Sequence, residues 1–399
     1  MLIEIILFLI LGIIVGTTTG LIPGIHINLV GAFLISLSAT FFFSLNPIYL
    51  IVFIVAMALT HTFIDFIPSI FLGCPDTDTE LSILPGHELL KKGQGYEAVA
   101  LTVYGSLAAV FILILISFPF IFIDISNFYD SIKKILPFLL IAAATTLIFL
   151  EKNKLKSSFV FFLTGFLGWS VLNMPNIKEP LLPLLTGLFG SSMLILSLKL
   201  KTKVPKQIIT KTKTKLFRPL IGALIASPLC SFLPGLGSGQ AAILGNTISK
   251  TNRKGFLVLI GATNTLVMGF SFVTLYAISK TRTGAAVALQ EIVGVFSKEI
   301  LIFILIIALI TGIISFFLTL KITKLVSKKI NKINYSTISY ITLLILILTV
   351  FLISSWFGLL ILLISTLTGL YCISLGVKRT NMMGCLLLPT IIFYLSLIT

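Results

Sequence analysis

Long apolar runs, separated by short polar or basic segments, cover most of this chain. Most have roughly the 20-residue length that a helix needs to cross a bilayer. The pattern therefore predicts an all-α polytopic membrane protein. The predicted helical runs are 2–19, 27–45, 48–66, 96–123, 132–150, 157–173, 180–198, 217–233, 238–249, 255–278, 285–320 (one broken segment or two), 338–354, 356–376 and 382–398.

The composition supports this fold class and limits the kinds of molecule that the protein is expected to bind. Hydrophobic residues make up 57% of the chain and charged residues 11%, more apolar surface than a soluble protein of this size can bury. The net charge of +16 comes from lysines between the apolar runs, without interleaved aromatic residues, so we expect contact with anionic membrane lipid and no nucleic acid. Glu4 near the start argues against a cleavable signal peptide, which favours a multi-pass cell-membrane protein.

A basic stretch divides the chain near its middle. Residues 199–218 contain eight lysines and arginines and no acid, which places the stretch in the cytoplasm under the positive-inside rule. We therefore expect a first membrane repeat at 1–198, a basic cytoplasmic linker at 199–216 and a second repeat at 217–399. Counting helices outward from the linker puts nearly every strongly basic loop on the cytoplasmic side.

Two Pro-Gly pairs interrupt the apolar pattern at matching places in the two halves. Pro23-Gly24 lies in GLIPGIHIN, and Pro234-Gly235 lies in SFLPGLGSGQ. Proline removes a backbone donor and glycine accepts unusual dihedral angles, so each pair ends one helix and opens another. Backbone breaks at membrane depth survive only inside protein or beside a wet cavity. Paired breaks of this kind predict a transporter site, whereas either break alone is more simply a turn between helices.

The charge pattern around the second break predicts a re-entrant hairpin. Arg218 and Lys250 both belong on the cytoplasmic side, so residues 217–249 enter and leave the membrane on that side. Each half then contains a Pro-Gly-broken hairpin and about five crossings, which makes the second half inverted relative to the first. The two tips are predicted to meet near the bilayer midplane. Charge counting leaves open whether residues 2–45 form a hairpin or two crossings.

Free amide groups at the helix starts after the breaks form a candidate anion site. The glycines allow close approach of a ligand, and the polar side chains can donate hydrogen bonds, although helix capping or interhelical bonding would explain them equally well. The candidate substrate-binding residues are Pro23, Gly24, His26, Asn28, Pro234, Gly235, Gly237, Ser238, Gly239, Gln240 and Asn264.

A second cluster contains ionisable residues within an apolar run. His61 and Asp65 are four residues apart and share a helix face. Such residues in a membrane segment indicate proton transfer or sodium coordination. The competing interpretation places Asp65 at the cytoplasmic helix end, solvated and without function. Asn264 and Thr265 occupy corresponding places in the second half, and Thr265 joins His61 and Asp65 as an ion-coupling candidate.

Other chemistry is less well supported. Asp76, Asp78 and Glu80 alternate like the opening of a calcium loop, but the glycine and glutamate that such a loop needs later are missing. The four cysteines show no paired spacing, so neither a disulfide nor a metal site is expected. We expect no cofactor beyond a coupling Na⁺ or H⁺.

The segment 84–98, LPGHELLKKGQGYEA, resembles a loop of the TctA family, the large membrane subunit of tripartite tricarboxylate transporters. The two Pro-Gly breaks also fit that family's pattern. The resemblance implies secondary transport of an organic anion, such as a di- or tricarboxylate, by a permease. It also implies two possible partners, a small membrane subunit and an extracytoplasmic binding protein. Whether the protein forms a homodimer is left open by the sequence.

Two other functions compete with carboxylate transport. A flippase for a polyprenyl phosphate or another anionic lipid would use the same amide dipoles. An intramembrane enzyme is disfavoured because Ser238 has no histidine after it in the chain and no HExxH motif occurs. A scaffolding protein would not need two matched helix breaks.

Overall fold

The computed structural model describes most of the chain. The described residues are 2–22, 46–73, 79–120, 126–149, 151–175, 177, 179–199, 205–209, 215–232, 237–294, 296–330, 335–377 and 379–396. Every regular element among them is a helix, which confirms the all-α fold class.

Run 27–45 lies outside the described residues, and the helices follow the other predicted apolar runs closely. Those of the first half are α1 (Leu2–Leu21), α2 (Pro47–Ile64), α3 (Phe66–Leu72), α4 (Ile83–Lys91), α5 (Gly95–Phe120), α6 (Ser126–Phe149), α7 (Lys154–Leu172), α8 (Leu181–Leu185) and α9 (Ser192–Lys199). Those of the second half are α10 (Phe217–Phe232), α11 (Ser238–Ser249), α12 (Arg253–Ile278), α13 (Gly284–Val293), α14 (Lys298–Lys329), α15 (Tyr335–Ser374) and α16 (Gly384–Ser396). A π-helical segment, Thr186–Ser191, joins α8 to α9, and 3₁₀ turns cover Glu80–Ser82 and Arg379–Met383.

Backbone breaks separate helices that the hydrophobic pattern left ambiguous. Run 285–320 consists of two helices, because Gly294 between α13 and α14 has φ 70°. α15 is kinked at Ser355, whose φ of 56° and ψ of −159° are not helical. The kink falls where the sequence predicted a boundary between runs 338–354 and 356–376.

Two helical segments, the continuous pair α2–α3 and α12, form the centre of the bundle. Among the described residues, seven helical segments are long and apolar enough to span a membrane. In Pro47–Leu72, which joins α2 and α3, and in Arg253–Ile278, 94% of the most apolar window is buried, compared with 28% in Leu2–Leu21. Helices buried on all sides cannot face lipid, so α2, α3 and α12 are the core of the fold.

Close glycine contacts align α1 with α2. A Cβ atom on Gly12 would lie 2.5 Å from the Phe53 carbonyl oxygen, and one on Gly20 would lie 2.9 Å from Ile64 Cβ. From Gly12 to Gly20 on α1, the contacting residue on α2 also moves forward in sequence, from Phe53 to Ile64. The two helices therefore run parallel. α1 ends beside Ile64, about two turns before α3 ends at Leu72. The segment that follows α1 lies outside the described residues, so the choice between a first hairpin and two crossings stays open.

α10 and α11 pack as an antiparallel pair around the second break. A Cβ on Gly222 would lie 2.5 Å from the Gly245 carbonyl oxygen, and Cys230 shares an apolar cluster with Ala241 nearer the break. Both helices, at 16 and 12 residues, are short for a full crossing. This packing agrees with the predicted re-entrant hairpin.

α2 and α12 run in opposite directions. The first part of α2 shares an apolar cluster with Phe272 and Leu275, near the end of α12, whereas Thr62 reaches Thr265. Antiparallel central helices are what an inverted repeat requires. The repeat and its boundaries at 1–198, 199–216 and 217–399 stay predictions.

The basic segments contact one another at one end of the bundle. Ile208 N, in the linker, donates to the Gly93 carbonyl at 2.7 Å, just after Lys91 and Lys92. Arg253, at the start of α12, pairs with Glu88 on α4. The positive-inside rule predicts that this end is cytoplasmic.

Two ion pairs at this end should differ in their contribution to stability. Lys254 Nζ lies 2.6 Å from Glu97 Oε1, and the Glu97 side chain is only 4% exposed, whereas both partners of Arg253–Glu88 are substantially exposed. Lys254→Met would leave a buried carboxylate without its cation, so we expect a loss of about 2 kcal/mol in unfolding free energy. The matched Arg253→Met change should cost at most about 1 kcal/mol. Melting in detergent measures both; equal effects would contradict the assigned burial.

Candidate functional site

Asp65 lies inside the bundle, between two helical segments. The helix does not end there: Asp65 N donates to the His61 carbonyl at 3.0 Å, and Ser69 N donates to the Asp65 carbonyl at 3.4 Å. The residue is 3% exposed. The interpretation of Asp65 as a solvated helix end is therefore wrong, because α3 continues beyond the apolar run and buries it.

Asn264 on α12 holds the Asp65 carboxylate. Its Nδ2 donates to Asp65 Oδ2 at 2.8 Å and lies 3.5 Å from the Thr62 carbonyl oxygen. One turn away, Thr62 Oγ1 and Thr265 Oγ1 are 3.2 Å apart. Asp65, Asn264 and Thr265, which the sequence singled out in separate halves, thus form one buried cluster.

His61 extends this cluster toward α1. Its Nδ1 lies 3.1 Å from Thr19 Oγ1, and the ring is 3% exposed. Sequence reasoning missed Thr19 and Thr62 as parts of the site. The run Thr17–Thr19 just before the first break and the position of Thr62 between His61 and Asp65 were the available signals.

The cluster lies near mid-depth. Asn264 stands about 16 Å from Arg253 and about 21 Å from Ile278 along the axis of α12, at 1.5 Å per residue. Because the hydrocarbon core is about 30 Å thick, this height lies far from both surfaces. A buried carboxylate there is costly unless it is neutralised or compensated.

The chemistry of the cluster suits a small hard cation or a proton. Asp65 supplies a carboxylate, Thr62 a hydroxyl and a nearby carbonyl oxygen, and Thr265 a second hydroxyl. Oxygen atoms of these types are the usual ligands of sodium-like cations, and an aspartate beside a histidine can also carry a proton.

The anion site predicted at the second Pro-Gly break is described only from Gly237 onward, at the start of α11. Gly237 N donates to Gln240 Oε1 at 3.0 Å, so this glutamine caps its own helix. Helix capping is the simpler of the two roles that the sequence offered for Gln240. Ser238 and Gln240 are 1% and 3% exposed, and Gly239 lies in the same first turn. These residues are buried in protein, as a break at membrane depth requires.

The described flanks of the two breaks do not meet. A Cβ on Gly20, before the first break, would lie 3.3 Å from Asp65 N, level with Asn264. Ser231, before the second break, accepts a hydrogen bond from Thr274 Oγ1 at 3.4 Å. Asn264 and Thr274 are about 15 Å apart along α12. The flanks thus give no support to a meeting of the tips, because α1 and α10 end at different heights along α12.

Several predicted residues cannot be placed. The tip residues Pro23, Gly24, His26, Asn28, Pro234 and Gly235 lie outside the described residues, as do Cys74, Asp76 and Asp78. Their predicted roles stay predictions. The other three cysteines, Cys230, Cys372 and Cys385, are buried and form no disulfide among the described residues.

Comparison with known proteins agrees with the resemblance noted in the sequence. The family model described as "Tripartite tricarboxylate transporter TctA family" matches residues 6–384. An uncharacterized protein of Methanocaldococcus jannaschii is 35% identical over 353 residues, covering 86% of this chain and 88% of that protein. No solved structure matches the chain.

Proposed function

The chain belongs to the TctA family of tripartite tricarboxylate transporters, and on that basis we propose that it is a secondary active permease for a di- or tricarboxylate. In this proposal the Asp65 cluster binds the coupling ion, a proton or Na⁺. The substrate anion binds next to it, toward the amide groups that follow the Pro-Gly breaks.

The observation that carries this proposal is the Asn264–Asp65 contact. It joins the two most buried helices, α12 and α2–α3, through an ionisable group near mid-depth. Packing alone does not need a carboxylate there, since an apolar side chain would avoid its desolvation cost. An ionisable residue kept in such a place supports an ion-coupling role.

Electrostatic repulsion gives a physical reason why binding of the proton or Na⁺ should be coupled to binding of the substrate anion. A substrate carboxylate about 5 Å from ionised Asp65 would be repelled by roughly 3 kcal/mol at an effective dielectric constant of 20. A proton or Na⁺ on Asp65 removes this repulsion. Ion and anion would therefore bind together, which is the thermodynamic basis of symport.

The helix breaks supply the attraction for the anion in this proposal. The first turn of α11 begins at Ser238 beside the break, and unpaired amides of a helix start favour a negative group. On the other side, α1 ends close to Asp65, and the free carbonyl groups of that helix end would favour the coupling cation. Alternating access would proceed by movement of hairpin α10–α11 or of α1 against the central helices.

The family points to partners as well. A tripartite transporter works with two further components, so we propose a small membrane subunit and an extracytoplasmic binding protein that delivers the substrate.

A thermal-shift screen tests the proposed substrate and coupling. Purified protein is melted with succinate, citrate or a polyprenyl phosphate, at several pH values and with or without sodium. We expect a carboxylate to stabilise the protein by about 2.7 kcal/mol at one hundred times its Kd, and to bind more tightly with sodium or at lower pH. Stabilisation by the lipid phosphate alone would instead support the flippase. No response to any anion would contradict both functions.

A further inference from the structure

A charged side chain binds the end of α10, just before the second Pro-Gly break. The Arg282 guanidinium donates a hydrogen bond from Nη2 to the carbonyl oxygen of Phe232, the last residue of α10. The last carbonyl groups of a helix have no partner within the helix, and they carry the negative end of its dipole. A cation that donates to one of them therefore stabilises this helix end more than a neutral donor would.

Arg282 reaches α10 from a loop that is itself held in place. The loop joins α12 to α13, and its last residue, Thr283, is the N-cap of α13 and accepts from Ala286 N. Thr283 Oγ1 also lies 3.0 Å from Ser271 Oγ on α12. The loop is thus tied to both helices that it joins, so the backbone at Arg282 has a fixed position relative to α12.

Two further contacts hold the same turn of α10. Thr274 Oγ1 on α12 donates to the Ser231 carbonyl at 3.4 Å. The Phe232 ring packs against Phe120 at the end of α5, with 5.3 Å between the ring centroids. Both contacts are neutral, whereas Arg282 brings a charge to the helix end.

These contacts lie at the end of the bundle opposite the basic segments. Arg253, which pairs with Glu88 at the basic end, is the first residue of the 26-residue helix α12, and Arg282 follows the last residue of the same helix. Because the basic end is predicted to be cytoplasmic, Arg282 is expected at the extracytoplasmic end.

We propose that Arg282 is a positioning residue, a latch that holds the last turn of α10 against α12 from the extracytoplasmic side. This inference rests on the proposed function, in which alternating access moves the hairpin α10–α11 against the central helices. Such a movement has to break the contact between Arg282 and Phe232, because the loop that carries Arg282 is tied to α12. The latch therefore favours the arrangement in which α10 is packed on α12.

Cys230 is a native reporter for this latch. It lies in the last turn of α10, two residues before Phe232, and is fully buried in an apolar cluster of α10, α11 and α12. A buried thiol reacts with N-ethylmaleimide only when its surroundings open, so the rate of labelling at Cys230 follows the opening of this turn. Cys372 on α15 and Cys385 on α16 are buried elsewhere and report general loosening of the protein.

Arg282→Met tests the latch in the full-length protein in detergent. Methionine removes the charge and the donors while keeping an unbranched side chain. We expect N-ethylmaleimide to label Cys230 at least about tenfold faster than in the wild-type protein, which corresponds to about 1.4 kcal/mol. The rates at Cys372 and Cys385, followed by mass spectrometry of their peptides, should stay unchanged.

Two matched variants separate the latch from general charge and stability effects. Arg282→Lys should restore slow labelling of Cys230, because an ammonium group also donates and carries a charge. Lys280→Met removes a cation from the same loop at an exposed position and should leave the labelling of Cys230 slow. An unchanged rate in Arg282→Met, an equal rise at all three buried cysteines, or fast labelling in Arg282→Lys would overturn the proposal.

The substrate adds a test that separates the latch from the proposed function. Labelling of the wild-type protein is repeated with citrate and sodium, and movement of α10–α11 during transport should then change the rate at Cys230 but not at Cys385. A rate that does not respond to citrate would contradict the proposed substrate. The comparison of Arg282→Met with the wild-type protein needs no substrate, so it decides about the latch in either case.

Discussion

Asp65→Asn should abolish accumulation of substrate against its gradient while leaving the protein folded. Asparagine keeps an oxygen that can accept the hydrogen bond from Asn264 Nδ2, which spans 2.8 Å in the wild-type protein. It cannot carry a proton or a negative charge, so the coupling ion loses its principal ligand. With one ion per substrate, a tenfold ion gradient stores about 1.4 kcal/mol and supports about tenfold accumulation. We expect that ratio to fall to one.

The measurement is uptake of radiolabelled carboxylate into proteoliposomes under an imposed pH or sodium gradient. Substrate exchange without a gradient should persist in the variant, because the substrate then binds a site that is permanently uncharged at position 65. Thr263→Ala is the matched control: Thr263 is also buried on α12, but among the described residues its hydroxyl bonds within the helix, to the Ile260 carbonyl. Unchanged gradient dependence in Asp65→Asn would restrict Asp65 to a structural role.

Much of this site was accessible from the sequence. A carboxylate within an apolar run is expensive, so Asp65 stood out without any structure. The matched Pro-Gly breaks suggested which segments of the two halves correspond, and that correspondence selected Asn264 and Thr265. The helix bounds followed because runs of about 20 apolar residues allow little besides a spanning helix.

The remaining features depend on packing that local patterns do not contain. Apolar periodicity could not show that α3 continues past Asp65, because Pro68 in the next turn reads as a helix stop, although its missing donor falls in the first turn of α3. Thr19 reaches His61 only because glycines let α1 lie against α2. The heights at which α1 and α10 end depend on how each helix packs against its neighbours, which charge counting cannot reveal.

Gly261→Ala should destabilise the protein more than any other single methyl group added along α12. A Cβ there would lie 2.0 Å from the Thr102 carbonyl oxygen of α5, and in return a Cβ on Gly105 would lie 2.1 Å from the Val258 carbonyl. Backbone atoms cannot move aside as side chains do, so the helices must separate. Overpacking typically costs about 1–3 kcal/mol, and we expect the upper end or failure to fold.

Gly269→Ala on the same helix provides the control. Its Cβ would lie 2.2 Å from Leu113 Cδ2, the end of a flexible side chain that can change rotamer. Alanine also favours a helix by about 1 kcal/mol over glycine, so this variant should melt close to the wild-type temperature. Both variants are compared by melting in detergent and by uptake.

The two variants also connect packing to function. Asn264 is one turn from Gly261, so separating α12 from α5 should pull its amide away from Asp65. Any folded Gly261→Ala protein should therefore lose gradient-driven uptake, whereas Gly269→Ala should retain it. A Gly261→Ala protein with wild-type melting and uptake would show that α5 and α12 are not in backbone contact, and the position of Asn264 beside Asp65 would lose its structural basis.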